Sequence, residues 1–102
     1  MFALSATAKS FLKDPLLLMR KHQQRNDQKF LVSVGAAIRQ RRVDALLSQR
    51  ELGARCGVHR TYITEIENGM RNISLLTTSK VAKALNVQAW ELLRVDTLLE
   101  VD

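Results

Sequence analysis

Arg60, Thr61, Tyr62, Thr64 and Glu65 crowd into one short stretch, and every one of these side chains can donate or accept a hydrogen bond. The set contains no nucleophile beside a base, so the chemistry it suits is non-covalent reading of a polar surface. If these residues lie on a helix, Ile63 and Ile66 mark its buried side, and Arg60, Thr61, Thr64 and Glu65 share the side turned away from them. An arginine there can donate two hydrogen bonds to guanine O6 and N7, and a threonine can meet a thymine methyl or a base edge. Glu65 has two readings: it accepts from cytosine N4, or it orients Arg60. Tyr62 packs partly on the core and reaches the backbone or a base with its hydroxyl. These five residues are the candidate base readers.

A second group suits phosphate. Gln49 falls at the exposed start of an expected helix, and Arg71 with Asn72 falls in an expected loop. Helix N-termini and arginine side chains are natural phosphate binders. His59 reads as a helix cap or phosphate contact rather than a metal ligand, because no partner ligand stands near it in sequence. Ser74 and Thr77 lie on the same side; for Ser74, simple helix capping is an equal reading. No paired-carboxylate, metal or nucleophile constellation surrounds His22, His59 or Cys56, so an enzyme is not expected, nor is a cofactor.

Ser48 followed three residues later by Glu51 is a capping box, which predicts a helix from Gln49. Gly57 can take the left-handed conformation that stops it, and Asn68-Gly69 closes a second helix that starts near His59. Gly53 supplies a small residue where two helices cross, and Leu52, Cys56, Val58, Ile63 and Ile66 supply the apolar angle between them. The spacing fits a helix-turn-helix, whose second helix is built to enter a DNA major groove.

Around this unit the pattern predicts further helices. Phe30, Val34 and Ile38 recur at a spacing of four, with Leu31 and Ala37 beside them, predicting a first helix to about Ala45. Ser74 caps a helix over Leu75 to Leu85, with Leu75, Thr78, Val81, Ala82 and Leu85 as its apolar face. Asn86 is a left-handed stop, and Gln88 with Glu91 starts a fifth helix through Leu93. Asp14-Pro15 is a further helix start, predicting one or two turns that end at the polar run HQQRNDQK. The divisions expected are an extension over 1–29, a domain over 30–94 and a tail over 95–102.

Composition agrees with an all-α domain. The chain has 102 residues, one Pro and four Gly, too few turn formers for an all-β fold. Its net charge is +6. Residues 1–71 hold 13 Lys and Arg against 6 Asp and Glu, whereas residues 72–102 hold 3 against 4. The positive charge thus travels with the proposed reading unit, which favours a polyanionic partner. A single cysteine excludes an intrachain disulfide and a thiolate zinc site, and Cys56 falls where a packed thiol is expected. No apolar run is long enough to span a membrane, no secretory signal is convincing, and the expected location is the cytoplasm.

The segments IRQRR (38–42), LSQRELGARCGV (47–58), YITEIENG (62–69) and ALNVQAWELL (84–93) resemble the Cro/repressor-type (XRE) helix-turn-helix family. HRTYI (59–63) with RNIS (71–74) is most similar to the controller proteins of restriction–modification systems. The resemblance covers about 60% of the chain and leaves the first 30 residues outside. It implies a five-helix domain, here with an N-terminal extension and room for one extra helix. It also implies that Arg42 and Glu67 form an ion pair tying the first helix to the recognition helix. Two positions depart from the family pattern. Arg41 stands where an apolar residue is common, and Leu46 where Gly is.

One such module offers few base contacts, so specific binding calls for two modules on a two-fold site. The C-terminal part, with Trp90, Leu92, Leu93, Val95, Leu98 and Leu99, is the expected dimer surface; the bland reading has Trp90 closing the monomer core. The function implied is a homodimeric transcription regulator on a palindromic operator in double-stranded DNA, with RNA polymerase as a further partner. The alternative is an antitoxin that autoregulates through the same domain and binds a toxin with its arm or tail.

Overall fold

The computed structural model describes residues 15–94, and Asp14, Val95, Leu98 and Leu99 lie outside them. Among the described residues there are five helices and no strand: α1 (Pro15–Asp44), α2 (Gln49–Cys56), α3 (Arg60–Glu67), α4 (Leu75–Ala84) and α5 (Ala89–Leu93). The all-α architecture expected from composition is the one observed.

α1 differs from the expectation of a short helix followed by a separate one. It runs through HQQRNDQK without a break, across the boundary expected at 29–30. Its physical reason lies in the residues themselves. Gln, Arg and Lys are good helix formers, and no Gly or Pro interrupts Leu16 to Val34. A helix polar on all sides can stay in water; polarity alone does not end it.

The core gathers Val34 and Ile38 from α1, Leu52 and Cys56 from α2, Ile63 and Ile66 from α3, and Val81 and Ala82 from α4. Leu47, Leu85 and Leu92 complete it. Phe30, Val58 and Tyr62 pack half-buried against this set. Burial of these side chains supplies the main drive to fold. Two expected assignments change. Leu75, placed on the buried face of its helix, is exposed, since the apolar stripe of α4 begins a turn later at Thr78. Leu92, placed on the dimer surface, is wholly buried in the core, while its neighbour Trp90 is exposed and does not close the monomer.

Local signals behave as read. The Ser48–Glu51 box is closed by Glu51 N–H donating to Ser48 Oγ at 3.0 Å and Ser48 N–H donating to Glu51 Oε1 at 3.1 Å. The Ser48 amide and hydroxyl hold the Glu51 carboxyl below the usual carboxylate range, so this box gives way only in acid. The Gln88 N–H donates to Glu91 Oε2 at 2.7 Å at the start of α5. Gly57 (φ 74°) and Asn86 (φ 57°) end α2 and α4 in the left-handed region, and Gly69 (φ 71°) follows Asn68 after α3.

One approach was not anticipated. A Cβ built on Gly35 would lie 2.3 Å from the Ile66 carbonyl oxygen and 2.7 Å from that of Glu67, so only glycine lets α1 cross so close to the end of α3. The two departures from the family pattern are also resolved. Arg41 forms an ion pair with Glu91 at 3.4 Å, joining α1 to α5 at the surface. Leu46 takes φ 59° while its side chain is almost fully exposed.

A left-handed conformation strains any residue with a Cβ, and an exposed side chain recovers nothing by packing. Leu46→Gly is therefore expected to raise the unfolding free energy by about 1 kcal/mol in urea denaturation. A loss of stability would show that Leu46 makes a contact worth more than its strain.

Candidate nucleic-acid interface

The site is assembled from α2, α3 and the loop that follows α3. Its foundation is a buried ion pair. Arg42 Nε donates to Glu67 Oε2 at 2.6 Å and Arg42 Nη2 donates to Glu67 Oε1 at 3.0 Å, a two-pronged fork. The side chains keep only 12% and 2% of their exposure. Arg42 Nη1 also donates to the Leu47 carbonyl at 2.8 Å, and Gln49 Nε2 donates to Glu67 Oε1 at 3.1 Å. The hydrogen bond to Glu67 pushes the Arg42 pKa up, so the guanidinium stays charged. One cluster thus joins the end of α1, the α1–α2 connection, the start of α2 and the end of α3.

α3 sits on this base with its two sides divided as the helix pattern requires. Ile63 and Ile66 are buried. His59 caps the helix: the Thr61 N–H donates to His59 Nδ1 at 3.0 Å. That bond leaves the proton on Nε2, free to donate outward. The side chains of Arg60 and Thr61 are exposed and make no hydrogen bond or ion pair among the described residues. These donors are uncommitted.

Of the remaining expected base readers, Thr64 and Glu65 are bonded within the protein. The Thr64 hydroxyl donates to Gln49 Oε1 at 2.8 Å and lies 3.1 Å from the Arg60 carbonyl. Glu65 pairs with Arg71 rather than with Arg60. The Arg71 guanidinium also lies over the Tyr62 ring, 5.3 Å from its centroid, so the loop is laid back along α3. That ion pair is partly exposed, and such pairs hold weakly in water, so a phosphate can take Glu65's place on Arg71.

The expected phosphate group divides in the same way. Ser74 caps α4: the Thr77 N–H donates to Ser74 Oγ at 3.1 Å, and the Ser74 hydroxyl donates to Thr77 Oγ1 at 2.9 Å. Asn72 is exposed in the loop. Gln49 uses its side-chain oxygen on Thr64 and one amide hydrogen on Glu67, leaving the second amide hydrogen for a ligand. A residue missed in the sequence joins the set. Arg50 lines a concavity of about 340 Å³ with Ala54, Val58, His59 and Arg60, at the step between α2 and α3. Its place directly after Gln49 was the available signal.

Of the expected dimer residues, Trp90 is 61% exposed and Leu93 is half-buried against the core; Val95 and Leu98 lie outside the described residues. Cys56 is buried, and burial pushes its thiol pKa up, away from the reactive thiolate. Among the described residues no group of three or more His, Cys, Asp or Glu is placed to hold a metal, and no helix is long and apolar enough to cross a membrane.

The crossing of α2 and α3, the glycine-terminated turn and the exposed start of α3 define a helix-turn-helix module. A family model described as helix-turn-helix matches residues 38–89, and the chain belongs to that family, of the Cro/repressor (XRE) type. The chain is similar to the control protein C.BamHI of Bacillus amyloliquefaciens, 45% identical over 65 residues, covering 63% of this chain and 80% of that one. It is also similar in structure to the restriction–modification controller protein C.AhdI of Aeromonas hydrophila. There the TM-score is 0.60 at 39% identity, over 61% of this chain and 94% of that one. A hypothetical transcription factor of Neisseria meningitidis is 44% identical over 52 residues, and the chain spans about half of its length, 49%. The crystal structure of the Neisseria factor matches with a TM-score of 0.62 at 37% identity, over 71% of this chain and 84% of the crystallised one. The chain is thus a helix-turn-helix transcription regulator with controller-protein relatives.

Gln49 carries a scaffold role beside the expected phosphate one. If its bonds to Thr64 and Glu67 matter most, Gln49→Ala is expected to lower the unfolding free energy by about 1–3 kcal/mol in urea denaturation. Loss of DNA affinity with unchanged stability would instead assign it to phosphate alone.

Proposed function

We propose that the protein binds DNA as a homodimer on a palindromic operator and regulates transcription by occupancy and by contact with RNA polymerase. It acts in the cytoplasm and performs no covalent chemistry of its own. The observation that carries this reading is the state of Arg60 and Thr61: both stand exposed at the start of α3 with no partner among the described residues, on a helix fixed from behind by the Arg42–Glu67 fork. A groove-reading helix presents its N-terminal side chains to base edges, and these two are the ones left free to do so. Around them Arg50, the His59 Nε2–H, Arg71 and Asn72 offer donors suited to the flanking phosphates. The exposed Trp90 on α5 offers an apolar anchor for the second copy. The names of the controller-protein relatives support the same reading.

Selection of bound DNA from a random pool, followed by footprinting, tests the proposal. A two-fold symmetric site is expected, and recovery of unrelated sequences would overturn it. On the selected site, Arg60→Ala is expected to cost about 1–3 kcal/mol and to relax base preference. Arg71→Ala should weaken all sequences alike and flatten the salt dependence by about one unit of slope. The same loss from both substitutions on selected and random DNA would remove these assignments.

A further inference from the structure

The N-terminal half of α1 lies outside the residues matched by the family model, yet it is bound to the module. Gln28 Nε2 donates to the Gly69 carbonyl at 2.9 Å, and Val32 packs so close to Gly69 that a Cβ there would lie 2.6 Å from Val32 Cγ2. Asn26, Asp27, Phe30 and Leu31 share a concavity of about 440 Å³ with Asn72. α1 therefore passes directly beside the loop that carries Arg71 and Asn72. At 1.5 Å per residue, the stretch from Gln28 back to Pro15 continues about 20 Å beyond it.

Along that stretch Lys21, Arg25 and Lys29 recur at a spacing of four, so they form one row on the helix, and all three are exposed. The row runs beside Gln28 and Val32, next to the meridian that touches the loop. Like charges four apart weaken a helix. Arg25 and Lys29 form no ion pair among the described residues that would relieve it. Asp27, the one acidic residue between 15 and 29, lies across the helix from Arg25.

We propose that this half of α1 is a second nucleic-acid contact, in which Arg25 and Lys29, continued by Lys21, bind the phosphates flanking the site read by α3. The proposal rests on the DNA-binding reading above. The loop after α3 carries the phosphate donors nearest the reading helix, and the cationic row starts where that loop touches α1. Duplex DNA presents a charge about every 1.7 Å along its axis, so a row of this length meets several phosphates without reading bases.

The test uses the full chain and two DNAs, the selected site with long flanks and the same site trimmed to its ends. The Arg25→Ala/Lys29→Ala double variant keeps good helix formers in place. On flanked DNA the slope of log affinity against log salt is expected to fall by about two units, and on trimmed DNA to stay unchanged. Arg55→Ala/Lys83→Ala removes the same charge beside Gly57, on the far ends of α2 and α4, and should leave both slopes as they were. An unchanged slope in the first variant, or an equal fall in both, overturns the contact. Loss of all base preference in the parent chain would instead overturn the DNA reading itself, whatever the slopes.

Discussion

Everything that faces outward from this module depends on one buried ion pair. Glu67 accepts from both prongs of Arg42 and from Gln49, and Arg42 reaches on to the Leu47 carbonyl. Two long side chains have given up water here, and their mutual geometry is what repays it. Because the partners come from the ends of α1 and α3 and the start of α2, the fork sets how the reading helix sits on its scaffold. The close crossing permitted by Gly35 brings the α1 backbone against the same end of α3. A bulkier residue there would push the carbonyls of Ile66 and Glu67 away and with them the fork.

From that base the polar side chains sort into two populations. Gln49, Thr64 and Glu67 face one another and build the scaffold. Arg60 and Thr61 face solvent and keep their donors available, and Arg71 stands between the two states, paired with Glu65 and stacked on Tyr62. A partly exposed pair is weak enough to be exchanged for a phosphate, whereas the buried fork is not. On α3, uncommitted donors and scaffold bonds thus fall on different residues, with the change occurring between Thr61 and Thr64.

Much of this was legible in the residues, and what was not has a physical reason. Capping boxes, Gly57 and the Ile63–Ile66 stripe are local signals, written in adjacent positions, and they marked α2 and α3 within a residue. The Arg42–Glu67 pair came from family resemblance, since the two positions lie too far apart for spacing to connect them. Three features were misread because they depend on what lies opposite. The polar stretch before Phe30 lacks an apolar face, yet nothing in it stops a helix, so α1 continues. Leu75 and Leu92 both sit on helical repeats, and only the packed structure decides that the first is exposed and the second buried. Gln49, expected at a phosphate, also bonds Thr64 and Glu67 and keeps one amide hydrogen for a ligand. Nothing in the residues around Gly35 marked it as the point of closest approach between α1 and α3.

The Arg42–Glu67 fork holds α3 in place. A double-mutant cycle over Arg42→Ala and Glu67→Ala, read by urea denaturation, measures that coupling most directly. A coupling energy of about 2–3 kcal/mol is expected, with either single substitution costing about 3–5 kcal/mol by stranding its partner's charge. A coupling below about 0.5 kcal/mol, with the two single losses simply adding, would contradict it.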